Sequence, residues 1–288
     1  MKVLKYAKTD TVQLMINKAI TTSLLVSTYN WPQALNLCLL SIKAQHILPD
    51  EVIIADDGSG EETKNLINLH TKTFPVPLIH IWQPDKGFEL STIRNKGIAA
   101  STKNYIIQID GDLILHPKFI ADHINFARPG AFVTGSRVIM SEELSKKVLN
   151  KKDICINIFS KGISNLSNGF RFSSLRNLLA ERYRNNDIYY MRGCNMAFWR
   201  EDLLRVNGYN EEFIGWGRED NEIAFRLINL GIQKRILKMG AVVYHIWHKE
   251  HTRTDFNLNN KILADTIDNK IIKCRDGINK YLHDTSSS

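Results

Sequence analysis

Two aspartates one residue apart, Asp110 and Asp112, end a run of β-forming residues, Tyr105 to Leu113 (YIIQIDGDL). Ile and Tyr fit a pleated, packed surface, so the run reads as a buried strand. Its C-terminal end is where open α/β sheets bind ligands. Residues two apart on an extended chain point to the same side, and Gly111 between them permits a sharp turn and a close approach to a ligand. Two hard oxygen donors so placed suit Mg2+ or Mn2+ carrying a diphosphate. The same triplet also serves as a turn cap, and taken alone it does not choose.

A second acidic group lies in Gly215 to Glu222 (GWGREDNE). Trp216 stands between two glycines, in a loop able to bring an aromatic face to a sugar. Glu219 and Asp220 follow at the start of an expected helix, where the macrodipole favours negative charge. An ionised carboxylate in a cleft can take the proton of a hydroxyl nucleophile; first-turn helix capping would use the same residues. A third group is His245-Ile246-Trp247-His248. Two imidazoles three residues apart after a strand could reach one metal ion, and imidazole suits Mn2+ better than Mg2+. His251 lies close by in sequence and competes for that assignment.

The elements that position these groups alternate. Thr22 to Ser27, Glu51 to Ala55, Leu78 to Trp82 and Tyr105 to Ile109 read as strands. Pro32 to Ala44, Glu61 to Leu69 and Glu89 to Ala100 read as helices, the first with proline in its opening turn. This pattern over residues 22–115 argues for βαβ units on a mostly parallel sheet. Asp56–Asp57 and Asp110–Asp112 then fall on one sheet edge. Beyond it, Ala131 to Ile139 and Arg192 to Trp199 are expected strands, and 141–190 is basic and partly helical. Glu219 to Leu230 is a helix ended by Gly231, and Ala241 to His245 a short strand. Lys261 to Leu282 is expected as an amphipathic helix and His283 to Ser288 as a disordered tail.

With 288 residues, 43% hydrophobic and 24% charged, the composition is that of a globular domain. No apolar run approaches a membrane span, and residues 1–20 lack the apolar core of a signal peptide. Cys38, Cys155, Cys194 and Cys274 are scattered, which predicts free buried thiols in a reducing cytoplasm. The net charge is +8, and residues 146–192 hold ten Lys/Arg against three Asp/Glu. That segment could face an anionic membrane, an acidic acceptor or nucleic acid, or be a solvated face. Its aromatics show no regular spacing of the kind that stacks bases, so no nucleic-acid partner is expected.

Taken together, VSTYN (26–30), ADDGS (55–59), RNKGI (94–98), IDGD (109–112) and GWGREDNE resemble the family 2 glycosyltransferases of GT-A fold. Residues 192–248 are similar to the galactosyltransferase-type region shared by β-1,4-galactosyltransferases, polypeptide GalNAc-transferases and bacterial chondroitin-type polymerases. The resemblance covers about residues 22–250. It implies an α/β GT-A fold: a Rossmann-like, mostly parallel sheet flanked by helices, in one domain with a helical C-terminal extension. Residues 1–20 would be an extension, 21–115 the nucleotide-sugar half, 116–255 the acceptor half, and 256–288 a helix and tail.

By position, the resemblance assigns Ser27, Tyr29, Asp57, Arg94, Asn95 and Asp110 to the nucleotide. Asp57 would meet uracil and Asp110 the ribose. It assigns Trp216, Gly217 and Glu219 to sugar or acceptor, Asp220 to the catalytic base, and Asp112 to the metal. The family's terminal metal ligands are Met and His three apart, or a single His; here His245 and His248 stand there. The implied activity is metal-dependent, inverting transfer of a hexose or N-acetylhexosamine, Gal or GalNAc favoured, from a UDP-sugar. The acceptor would be a hydroxyl of a glycan or lipid-linked molecule in bacterial surface polysaccharide synthesis. The expected cofactor is Mn2+ or Mg2+, and the expected place is the cytoplasm, with peripheral contact to the inner face of an anionic membrane through 146–192. The 215–217 loop or the basic segment could act as a lid. A sugar nucleotidyltransferase is the alternative enzyme, but it would carry a Gly-rich loop after the first strand, and STYNWPQA has no glycine. A non-catalytic nucleotide-sugar-binding protein is the other alternative.

Overall fold

A computed structural model describes residues 20–180, 182–184, 187, 189–249 and 256–282. Residues 1–19 and 283–288, His251 and part of the expected N-terminal extension lie outside them.

Four strands form the parallel centre: β1 (Thr22–Thr28), β2 (Glu51–Asp56), β3 (Leu78–Trp82) and β4 (Tyr105–Asp110). Helices α1 (Pro32–Lys43), α2 (Glu61–Thr71) and α3 (Leu90–Ala100) connect them. The run VIIA in β2 is wholly buried because a parallel strand is covered on both faces. The full sheet runs β10-β6-β9-β4-β1-β2-β3, with β6 (Ala131–Thr134), β9 (Asn195–Trp199) and β10 (Gln233–Ile236) on one flank. Only β9 is antiparallel to its neighbours in this sheet. The register pairs Ser27 with both Ala55 and Asp110, so the ends of β1, β2 and β4 share one edge.

A second sheet, not foreseen in the sequence, has the order β5-β11-β7-β8. Its strands are β5 (Leu113–Leu115), β7 (Val138–Met140), β8 (Ile163–Ser164) and β11 (Val243–His245). The expected strand 131–139 is therefore two strands in two sheets. Gly135 N–H donates to Asn195 O at 2.7 Å and the Asn195 amide donates to Ser136 O at 3.0 Å, which lifts the chain out of the main sheet. A Cβ on Gly135 would stand 2.3 Å from Asn195 Nδ2, so the crossing needs glycine.

Three more helices follow in the second half: α4 (Phe119–Phe126), α5 (Glu142–Lys151) and α6 (Ser173–Leu179). The basic segment is pinned to α4 at buried Asp122, which accepts from Arg171 Nε at 2.7 Å and Arg176 Nη1 at 2.9 Å. Two of its ten cations thus face inward. The expected strand from Arg192 begins at Asn195, after a turn in which Asn195 N–H donates to Arg192 O at 2.8 Å.

After α7 (Arg200–Arg205) and α8 (Glu219–Asn229) the chain ends in α9 (Phe256–Asp268), which is shorter than the expected 261–282 helix. Lys270 takes the left-handed conformation, φ 50°, and ends it. The rest folds back on residues 206–209, where Asn207 Nδ2 donates to Cys274 O at 3.0 Å. Cys38, Cys194 and Cys274 are buried as expected, whereas Cys155 is exposed. No described helix is long and apolar enough to cross a membrane.

Candidate active site

The three acidic and imidazole groups converge at the shared sheet edge. The register of β5 against β11 sets His245 opposite Leu113, and Ile246 N–H donates to Asp112 O at 3.0 Å. That places His245 Nε2 3.3 Å and His248 Nε2 3.1 Å from Asp112 Oδ2. His248 is steadied by Nδ1 on Lys249 O and by an edge contact with Trp31. One ligand atom from each of Asp112, His245 and His248 lies within 4.8 Å of the others. Asp112 Oδ1 is buried without a hydrogen-bond partner. Burial opposes the charge on Asp112, but the two imidazoles outweigh it and hold the carboxyl well below its usual range. Asp112 raises His248 in turn. A carboxylate with two imidazoles and an orphaned buried oxygen is a donor set that fits a divalent cation, Mn2+ better than Mg2+.

Asp110, two residues earlier, does a different job. It meets Arg94 Nη2 at 3.3 Å, while Arg94 Nη1 lies 2.9 Å from Asp220 Oδ1 and Nε 3.3 Å from Ser27 Oγ. Arg94 is 1% exposed, so burial works against its charge; Asp220, then Tyr209 and Asp110, overcome that and raise its pKa. The pKa of Asp110 goes up to about 6, burial and the nearby Asp112 and Asp220 outweighing Arg94. Its side chain is 35% exposed, so solvent tempers that rise.

Asp220 sits in the first turn of α8, beside Glu219. Its Oδ1 also receives the Tyr209 hydroxyl at 3.2 Å. Its Oδ2 stands against Gly193, where a Cβ would come within 1.6 Å. Glu219 is 6% exposed with Oε2 unpartnered. Burial first, then Asp220, push it up to about 7 against the pull of Arg94. The loop before α8 turns through positive φ at Gly215, Gly217 and Arg218 (70°, 107° and 81°) and leaves Trp216 half-exposed. Asn259 of α9 spans it, its amide donating to Ile214 O and Gly217 O at 3.0 Å each.

At the far end of the edge, Asp57 is buried and accepts from Gln83 Nε2 at 2.6 Å and Glu89 N–H at 3.0 Å. Burial pushes it up to about 6 despite those bonds. Tyr29 is exposed, its hydroxyl on Asp85 Oδ2 at 2.9 Å. Asn95 departs from its expected position. It is fully buried on the other side of α3, donating to Tyr209 O and Glu211 Oε1 at 2.8 Å each and accepting from Tyr209 N–H. Both donors and its acceptor are committed to bracing residues 209–211.

The structure adds residues that the sequence reading missed. Tyr209, Gln108 and Gly193 surround Asp220. Arg137, on the β6–β7 turn, has its pKa raised: burial opposes it, and Cys194, Asp110 and Asp112 win. A glutamine inside the apolar run YIIQID was the one visible signal among them.

Comparison with known proteins agrees with this architecture. Residues 23–206 match glycosyl transferase family 2, and 175–251 match a unit described as the N-terminal domain of galactosyltransferase. The chain is 29% identical over 237 residues to a chondroitin synthase of Escherichia coli, covering 77% of this chain and 34% of that protein. It is 25% identical over 239 residues to a hyaluronan synthase of Pasteurella multocida, covering 77% of this chain and 24% of that one. It therefore spans about a third of the first relative's length and about a quarter of the second's. Among solved structures, a mannosyltransferase from Pyrobaculum calidifontis in complex with GDP-Man and Mn2+ superposes with TM-score 0.57 at 18% identity, over 92% of this chain and 68% of that one. S. aureus TarS superposes with TM-score 0.58 at 15% identity, over 91% of this chain and 41% of that one. These two give the fold, which is GT-A. With the family match running over residues 23–206, the chain belongs to glycosyl transferase family 2 and is a glycosyltransferase.

Proposed function

We propose that the chain moves a hexose or N-acetylhexosamine, Gal or GalNAc favoured, from a UDP-sugar to a hydroxyl of a glycan or lipid-linked acceptor, with inversion. The observation that carries this reading is the arrangement around Arg94. One guanidinium holds Asp110 and Asp220 at the same sheet edge as the Asp112–His245–His248 triad. This supports a reading in which the group expected at the nucleotide and the carboxylate expected to act as base work side by side.

In this reading, Ser27, Tyr29 and Asp57 hold the nucleoside, with Asp110 toward the ribose. Asp112, His245 and His248 would hold the divalent cation. When bound, that cation supplies neutralisation of the departing diphosphate. Asp220 Oδ2 accepts the proton of the acceptor hydroxyl. The hydroxyl oxygen forms its bond to the anomeric carbon as the bond to the diphosphate oxygen breaks, the electron pair leaving with the diphosphate. Attack from the opposite face converts an α-linked donor to a β-glycoside. Trp216 offers an aromatic face to the acceptor sugar, and Glu219, pushed up to about 7, can donate a hydrogen bond to it while protonated. Division into a donor half (21–115) and an acceptor half (116–255) belongs to the same reading.

The relatives' activities, chondroitin and hyaluronan synthesis, support a role in bacterial surface polysaccharide assembly. The P. calidifontis neighbour, seen with GDP-Man and Mn2+, supports a metal-assisted nucleotide-sugar reaction. The outward lysines of 146–192, with exposed Phe159, Phe172, Leu175 and Leu178 on the same segment, support peripheral contact with an anionic membrane at the cytoplasmic face. The test is UDP release from UDP-Gal, UDP-GalNAc, UDP-GlcNAc and UDP-Glc with Mn2+. Release from one of them, lost in Asp112→Ala and in Asp220→Asn, is expected; full turnover in Asp220→Asn would remove the base assignment.

A further inference from the structure

Tyr209 lies at the centre of a buried hydrogen-bond chain to which the reaction above gives no part. It is fully buried, and its hydroxyl lies 2.9 Å from Gln108 Oε1 and 3.2 Å from Asp220 Oδ1. Both are acceptors. Gln108 Nε2 is committed to Gly193 O at 3.0 Å, which turns Oε1 toward Tyr209. A phenol has one proton to donate. Burial raises the Tyr209 pKa and outweighs the adjacent Arg94, so the group stays O–H. The contact with the amide oxygen is the shorter, but a charged acceptor forms roughly twice as strong a hydrogen bond as a neutral one, so the ionised carboxylate draws that proton and the amide oxygen is the alternative.

Three contacts then define the carboxylate. Arg94 Nη1 and the Tyr209 hydroxyl both close on Oδ1. Gly193 lies against Oδ2, where a Cβ would stand 1.6 Å away, so only glycine leaves the carboxylate this position. The Arg94 guanidinium also lies 5.2 Å from the centre of the Tyr209 ring, so the two donors fix each other. Facing this carboxylate are Arg94 from α3, Asp110 from β4, Glu219 from α8, and Tyr209 from the loop after α7.

We propose that Tyr209 is a positioning residue for Asp220: by occupying Oδ1 together with Arg94 it leaves Oδ2 as the atom that receives the acceptor proton. The inference rests on reading Asp220 as the base. The Tyr209 proton never leaves its oxygen; as Asp220 becomes neutral, Gln108 Oε1 stands ready to accept the same O–H, and no buried donor is orphaned.

The experiment compares Tyr209→Phe, Asp220→Asn and the double variant, using the UDP-sugar that gives the best turnover with Mn2+. Phe keeps the ring and its packing. Loss of one hydrogen bond to a charged group predicts a kcat fall of roughly tenfold or more. The donor KM and melting temperature should stay near wild type, and the double variant should be no slower than Asp220→Asn. Wild-type kcat in Tyr209→Phe beside an inactive Asp220→Asn overturns the proposal, as does a loss confined to donor KM. Full activity in Asp220→Asn overturns the base reading instead, so the two failures are told apart. Should Tyr209→Phe melt early, Gln108→Met serves as the second variant. It removes the alternative acceptor and should keep kcat well above that of Asp220→Asn; an equal loss overturns the proposal by making Gln108 the partner that matters.

Discussion

Arg94 and Asp220, 126 residues apart in the chain, form an ion pair of 2.9 Å whose cationic member is buried under the sheet edge. The same guanidinium reaches Asp110, so one side chain sets the separation of two carboxylates. Removing one partner of a buried pair leaves the other charge uncompensated. Arg94→Met should lower stability by about 3 kcal/mol, the lower end of the usual range because Asp110 is partly solvated. UDP release should fall to background. Arg94→Lys, a point charge unable to fork between two carboxylates, should melt between the two and stay nearly inactive. A thermal melt of each variant beside a turnover assay checks this; an active Arg94→Met would show that the carboxylates hold their places without it.

Gly193 is required for space, not for its backbone angles. A Cβ there would lie 1.6 Å from Asp220 Oδ2 and 2.3 Å from its Cγ. Gly193→Ala must push the carboxylate off Arg94 and Tyr209. A misplacement of about 1 Å at a reacting group costs on the order of a hundredfold in rate, so that loss is expected in kcat. UDP affinity by calorimetry should be unchanged, because Gly193 lies away from Tyr29 and Asp57. A variant with normal kcat would mean that Asp220 has room that this structure does not show.

Glu219 makes stability depend on pH. Its pKa is raised by burial from the ordinary 4.5 to about 7, so the folded protein keeps a proton that the unfolded chain gives up. The stability that this proton confers is complete below about 4.5 and is lost as pH rises through about 7. The loss amounts to about 3 kcal/mol. Wild type should therefore melt lower at pH 8 than at pH 5.5, and Glu219→Gln should narrow that difference. Asp57, raised to about 6, contributes in the same direction and stays in both proteins. Equal pH dependence in wild type and Glu219→Gln would remove Glu219 as the source.

The two histidines separate by calorimetry with Mn2+ alone. Both Nε2 atoms lie near Asp112 Oδ2, which predicts that His245→Ala and His248→Ala each weaken Mn2+ binding about tenfold or more. Asp112→Ala should abolish it. Unchanged affinity in His248→Ala would leave His245 as the single imidazole ligand.

What the sequence disclosed and what it withheld divide by distance along the chain. The strands ending at Asp56 and Asp110 were legible because VIIA and YIIQI are apolar, short and followed by turn residues. That pattern alone puts both acidic clusters on one edge. The partners of those clusters were not legible. Gln108 is a polar residue in a buried run, a signal passed over because its partner Tyr209 is 101 residues away. Asn95 shares a helix with Arg94, one residue on, but the helical turn aims its amide at the backbone of Tyr209 and at Glu211, away from Asp110 and Asp220. The Asp112–His245 meeting depends on the register of a three-residue strand, too short to carry a periodic signal. The split at Gly135 depends on Asn195, whose amide donates to Ser136 O and to Ala241 O, two residues before β11.

The C-terminal helix bears on the site through one residue. Asn259 is fully buried, and its amide donates to Ile214 O and Gly217 O, the two carbonyls that bracket Trp216. The enclosed loop has two glycines and Arg218 at positive φ, conformations that cost free energy unless neighbours enforce them. Arg218 adds a second tie, its Nε donating to Asn260 Oδ1 at 2.8 Å. Asn259→Ala removes both amide bonds at once and leaves two carbonyls facing a small apolar side chain. The loop should loosen before the domain does: amide exchange of residues 214–218 should speed up by about tenfold or more, as expected for about 1.4 kcal/mol of lost local stability. Exchange in β1 and β4, in the buried centre of the sheet, should not change. Acceptor-dependent transfer should fall while donor hydrolysis, which does not use Trp216, stays near wild type. If exchange in 214–218 is unaltered, the loop is held by its own backbone and by Arg218, and α9 has no part in placing Trp216.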